Sequence, residues 1–200
     1  MIRKIAIVLL LLAVGYVVWV VALNMGGDAP STSTSTPAPS PRAVSGPVRT
    51  NGPLPPAGPL VIPVAGIAAA QLADTFDDAR GEGRIHDAID IMAPRGTPVL
   101  AAAAGTVEKL FESERGGTTI YIRRPSGQWI DYYAHLDSYA AGLAEGQKIA
   151  QGQIIGTVGS TGDASPEAPH LHYAINVMAP GEGWWQGRAV NPYPLLIKGR

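Results

Sequence analysis

Four histidines, all downstream of residue 85, carry the chemistry this chain can offer, and they fall in three short motifs. The first is Arg84-Ile85-His86-Asp87-Ala88-Ile89-Asp90, an H-x-x-x-D. On a straight strand His86 and Asp90 would share a face but stand about 13 Å apart, at roughly 3.3 Å per residue. Zinc binds imidazole nitrogen and carboxylate oxygen at about 2.0–2.2 Å, so a shared ion requires the chain to turn between them, with Asp90 opening a strand. The second is His170-Leu171-His172, whose two imidazoles share one face of a strand while Leu171 and Tyr173 take the other. The third is Tyr132-Tyr133-Ala134-His135-Leu136, at the end of an apolar run. Singly, each motif also reads as a surface loop, a pair of exposed edge-strand histidines, or a histidine at a strand end. Together, His, Asp and His with a fourth position left for water is the layout of a catalytic zinc, and two imidazoles remain for acid–base work. The spacing leaves open which histidine of the H-x-H would bind metal.

The elements that must position these groups are short apolar runs cut by Gly and Pro from Val61 onward. Residues 118–123 alternate as a half-buried strand does, 125–128 form a turn, and 129–134 form a second strand, so the three together predict a hairpin. Further strands are predicted over 98–107, 153–158 and 171–177, and short helices over 67–73 and around 138–143. Gly105, Gly146, Gly152, Gly156 and Gly159 suit tight turns or bends. The fold class is mainly β, an antiparallel sheet domain over residues 61–200.

Ahead of it lie two unlike segments. Residues 5–23 form an uncharged apolar run of 19 residues behind Arg3 and Lys4, close to the roughly 20 needed to span a bilayer as a helix. It is longer than the apolar stretch of a cleavable signal and lacks a good cleavage site, so residues 1–25 are expected to be an uncleaved transmembrane anchor, with a removed signal peptide as the alternative. The basic pair places the N-terminus in the cytoplasm and the rest outside, in the periplasm or cell wall. Residues 26–60 are a linker. Nine of the chain's 18 prolines fall within 27–60, beside a Ser-Thr alternation over 31–36, a composition too poor in apolar area to fold.

Composition excludes several functions. Cysteine is absent, so there is no disulfide, thiol nucleophile or cysteine-held metal. Residues 61–200 carry 11 basic side chains against 15 acidic ones, which is no footprint for nucleic acid. No protein partner is legible. The glycine pattern of 97–107 and 146–159 also resembles the halves of biotinyl or lipoyl carrier domains, but no Lys stands in the hairpin-tip motif those need.

In combination and order, the three histidine motifs resemble the signatures of lysostaphin/LytM-type zinc metallopeptidases, the M23 peptidases. The similarity runs from about Pro63 to Leu196 and includes Asp74-Thr75-Phe76, Ala93-Pro94-Arg95-Gly96-Thr97-Pro98-Val99, Gly152 to Gly162, and Val190-Asn191-Pro192. The resemblance implies a LytM-type (duplicated-hybrid) β fold with one Zn2+ held in a groove by His86, Asp90 and His172. It implies His135 and His170 as catalytic imidazoles and water activated by the metal as nucleophile. His170 would take the proton from water, His135 would serve the oxyanion or the leaving amine, and the two roles are exchangeable. The implied substrate is a peptide of bacterial cell-wall peptidoglycan. A non-catalytic wall-binding or regulatory module of the same fold is the alternative, although such relatives typically lack some of the five residues that are all present here. Ala88 departs from the Gly that many members carry in H-x-G-x-D. Trp184 and Trp185 suit packing better than a substrate groove, Arg84 suits solvent, and at most one of Tyr132 and Tyr133 reaches a groove, since they face opposite ways.

Overall fold

The structure is a computed structural model and describes residues 58–198. The anchor expected over residues 1–25 and nearly all of the linker lie outside the described residues, among which no helix is long and apolar enough to cross a membrane.

Eleven strands are present among the described residues: β1 (Ala79–Arg80), β2 (Arg84–Ile85), β3 (Ile89–Met92), β4 (Pro98–Leu100), β5 (Gly105–Ser113), β6 (Gly117–Arg123), β7 (Trp129–Tyr139), β8 (Lys148–Ile149), β9 (Ile154–Val158), β10 (His170–Val177) and β11 (Arg188–Val190). One short helix, α1 (Tyr193–Ile197), follows Pro192. β1 and β2 pair as a ribbon, and the other nine strands form one antiparallel sheet. Its spine runs β11-β10-β7-β6-β5-β8, with β3 on β10, and with β9 bridging β7 and β4.

The alternation read in the sequence sets the two faces. Trp129, Tyr133 and Leu136 of β7 and Leu171, Tyr173 and Ile175 of β10 enter one core with Val99, Val107, Ile120, Ile122 and Ile155. Tyr121, Ile130 and Tyr132 take the opposite face, where Phe111 and Trp184 pack on them. Within the core, Asp131 receives two hydrogen bonds from Arg124, at 2.8 and 2.6 Å, and one from the Tyr173 hydroxyl at 2.7 Å. That answers the carboxylate's need for partners where water is absent.

Three local expectations are corrected. Ser138 and Tyr139 extend β7, since Ser138 and Tyr139 pair with Thr157 and Gly156 of β9, so no helix forms there. The strand predicted over 98–107 is two strands, β4 and β5, parted by the buried run Ala101-Ala102-Ala103. Only residues 69–71 of the stretch 67–73 are helical, as one 3-10 turn. Leu60, at the end of the expected linker, is buried in the core.

Candidate metal centre

Asp90 and His172 are direct cross-strand partners on β3 and β10. Side chains paired in this way are near neighbours on one face of the sheet, which explains how two residues 82 positions apart meet. His86 reaches them by a turn: Asp87 takes a left-handed φ of 58°, reversing the chain before β3. Asp tolerates that region better than most side chains. The required turn between His86 and Asp90 is therefore present, and Asp90 is the second residue of its strand.

His86 Nε2 lies 3.0 Å from His172 Nδ1 and 3.0 Å from Asp90 Oδ1, and His172 Nδ1 lies 3.3 Å from Asp90 Oδ1. Donors about 2.0–2.1 Å from a tetrahedral zinc lie about 3.3 Å from one another, so this triangle is close to one face of such a site. The hydrogen bonding agrees. Asp90 Oδ1 is buried and accepts no hydrogen bond, although two imidazole nitrogens stand beside it. His86 Nδ1 donates to the Thr75 carbonyl at 2.8 Å, which leaves a lone pair on its inward Nε2. Three donor atoms thus turn toward a common point, which suits a divalent cation. The chemistry of the set, two nitrogens and one carboxylate oxygen, suits zinc.

Burial alone would raise the Asp90 carboxyl, but His172 and His86 outweigh it and hold the group well below the usual carboxylate range. Burial lowers His172 to about 4. Both groups are therefore in their ligand forms, carboxylate and neutral imidazole, at pH 7.

Around the triangle stand groups that sequence reasoning missed. Arg80 donates to Asp90 Oδ2 at 2.6 Å, leaving Oδ1 as the inward oxygen. The Thr75 hydroxyl accepts the Asp90 N–H at 3.1 Å, so Thr75 braces two of the three donors. Asp74, next to it, is tied by both carboxylate oxygens to Asn191 Nδ2 at 3.0 and 3.1 Å. Thr75 and Asn191 stood in segments of the resemblance, but a backbone carbonyl has no signature in sequence, and Arg80 lay outside every motif.

His135 and His170 stand beside the triangle, their rings 4.9 Å apart and roughly edge-to-face, with His135 5.5 Å from His172. His170 Nε2 lies 3.7 Å from Asp90 Oδ1. Each ring donates Nδ1–H to a carbonyl at 2.8 Å, His135 to Thr161 and His170 to Ala168. When neutral, both rings therefore offer a bare Nε2. The oxyanion or leaving-amine role expected for His135 needs an Nε2–H, so that ring must first be protonated to fill it. Burial holds His135 below its ordinary 6.5, against the Thr161 hydrogen bond that favours the charged form.

All five residues line one groove of about 1380 Å³, together with Arg80, Arg84, Asp87, Glu112, Arg115 and Asp163. Tyr132 lines it, edge-on to His172 at 5.9 Å, while Tyr133 is buried with its hydroxyl accepting the Ala102 N–H. Trp184 packs on Phe111 and Tyr121, Trp185 packs on Trp184, and neither lines the groove. Ala88 is fully buried and its φ is not positive, so the methyl that replaces hydrogen there adds no left-handed strain.

Comparison with known proteins adds the following. The family model of peptidase family M23 matches residues 84–192. An L-Ala–D-Glu endopeptidase of Bacillus subtilis is 40% identical over 129 residues, covering 61% of this chain and 38% of that protein. The peptidoglycan DD-endopeptidase ShyC of Vibrio cholerae is 41% identical over 97 residues, 48% of this chain and 21% of that one. The chain thus spans well under half the length of either curated relative. Among solved structures, the catalytic domain of the antimicrobial peptidase lysostaphin from Staphylococcus simulans superposes with a TM-score of 0.55 at 30% identity, over 63% of this chain and 91% of that one.

Proposed function

The chain belongs to peptidase family M23, and from that premise we propose that it is a zinc-dependent endopeptidase hydrolysing peptide bonds in bacterial cell-wall peptidoglycan. Relatives named as endopeptidases of such bonds support the substrate class. The observation that carries the reading is the buried, unbonded Oδ1 of Asp90 facing two imidazole nitrogens within 3.3 Å.

In this reading His86, Asp90 and His172 hold one Zn2+, which when bound lowers the pKa of water and polarises the scissile carbonyl. The chain's own residues manage the protons. His135 and His170 face the groove as acceptors, their Nδ1 protons fixed on carbonyls. Either Nε2 can therefore take the proton of the attacking water. The ring that takes it becomes an imidazolium, a donor for the oxyanion and then for the leaving amine. The shared tautomer makes the two rings exchangeable in the first transfer. The groove, about 1380 Å³, has room for a peptide beside these rings.

The anchor over residues 1–25 and the Pro-rich tether over 26–60 are proposed from sequence alone, with the 61–200 domain outside the cytoplasmic membrane. The test is mass spectrometry of fragments released from purified peptidoglycan by the full chain, with and without a chelator. Soluble peptides with new amino termini, lost on chelation and restored by zinc, are expected. Wall binding without fragments would instead favour a non-catalytic module.

A further inference from the structure

His135 reaches the groove through a break in the strand. Tyr133 and Leu136 of β7 both enter the core, and regular alternation would send His135 there too. Opposite them on β6, Ile120 pairs with Tyr133 and Thr118 with Leu136, so β7 holds one residue more than its partner across this interval. That is a β-bulge, and His135 carries it at a φ of 60°. A left-handed histidine is strained and persists only where its surroundings fix it.

One side chain joins the two strands at one end of the bulge. Thr118 N–H donates to Thr161 Oγ1 at 3.0 Å, and that hydroxyl donates to the Leu136 carbonyl at 2.8 Å. Thr118 and Leu136 are the pair that closes one end of the bulge. The hydroxyl thus satisfies ladder groups that the extra residue interrupts. The same residue's carbonyl takes His135 Nδ1–H. The contact leaves no slack: a Cβ on Gly117 would fall 2.2 Å from Thr161 Oγ1.

We infer that Thr161 is the positioning residue for His135, its hydroxyl locking the bulge that delivers the ring and its carbonyl selecting the tautomer that leaves Nε2 bare. The proposal rests on His135 handling protons in the proposed hydrolysis. Thr161 touches no reacting atom and acts only through that ring.

The test compares Thr161→Val, which removes both hydroxyl bonds at nearly constant volume, with Thr161→Ser, which keeps them. Both are made in the full chain, zinc-loaded and purified in detergent. The His135 ring is read by 15N-detected long-range NMR without substrate, and kcat and KM are read on a peptidoglycan peptide. Wild type and Ser are expected to hold the Nδ1–H tautomer. Val is expected to give a tautomer mixture and a kcat lower by about 10–100-fold, the loss typical of an outer-shell partner, with KM and zinc content unchanged. If Val does not hold one zinc per chain, Thr161→Ala is read in its place. An unchanged ring spectrum in the substituted chain, equal loss in Ser and Val, or loss of zinc in both Val and Ala would each overturn the inference. A ring that responds as expected in a chain that cleaves no peptide would instead sink the hydrolase reading and leave this one standing.

Discussion

His86 Nε2 and Asp90 Oδ1 lie 3.0 Å apart, a quarter of the distance that a straight strand would impose, because Asp87 between them is left-handed. The turn converts a local sequence spacing into two donors on one point, and β-pairing adds the third from His172. Each donor therefore depends on a different structural device. Replacing any of the three with Ala is expected to abolish stoichiometric zinc and to bring peptide release to background. Metal analysis of the desalted chain checks it. His135→Ala and His170→Ala are expected to keep one zinc and to lose about 10²–10⁴ in turnover. Wild-type digestion by either would remove that ring from the mechanism.

Arg80 separates metal affinity from chemistry. Its guanidinium occupies Asp90 Oδ2, so Oδ1 is the oxygen left for the carboxylate to offer an ion, in a fixed orientation. Arg80→Met keeps the aliphatic stem and removes the clamp. Zinc affinity measured by chelator competition is expected to fall about 10–100-fold, with activity recovered at excess zinc. Unchanged affinity would show that Thr75 alone orients Asp90.

Much of this site was legible, and the illegible part has a physical pattern. The H-x-H worked because strand periodicity sends His170 and His172 to one face, as β10 does. H-x-x-x-D worked because a distance too long for zinc demanded a turn, and Asp87 supplies it. Taken alone, His135 reads as an ordinary strand end, and only the family resemblance brings it to the site, since a bulge depends on the register with β6, where Ile120 pairs with Tyr133 and Thr118 with Leu136. Ser138 read as helical for the same reason: its strand state is owed to Thr157 across the sheet. Thr75 and Thr161 each hold their histidine through a backbone carbonyl, which every residue type carries.

The pH dependence follows from burial. His135 lies below its ordinary 6.5, chiefly because burial penalises the charged ring. Its neutral form, the one able to accept a proton, is therefore lost only as pH falls below 6.5, and the acid limb of kcat/KM is expected to have its midpoint under that value. Stability moves with the same sign. His172 is lowered to about 4, so between about 6.5 and 4 the unfolded chain binds more protons than the folded one. The Tm of the metal-free chain is expected to fall as pH is lowered through that window. A rise in Tm there would contradict the burial of these rings.

Ala88 tests whether the family's usual glycine serves the metal. Its φ is not positive, its methyl is fully buried, and the strained residue of the turn is its neighbour Asp87. A glycine there would gain no access that the backbone needs, while the unfolded chain would gain freedom and the core would lose a methyl. Ala88→Gly is therefore expected to lower stability by about 1 kcal/mol and to leave zinc affinity and kcat within about twofold. Thermal melts and chelator competition on one preparation read both. A large gain in zinc affinity on Ala88→Gly would mean that the methyl holds His86 and Asp90 off their best positions, and that the turn at Asp87 is not the whole cause of their meeting.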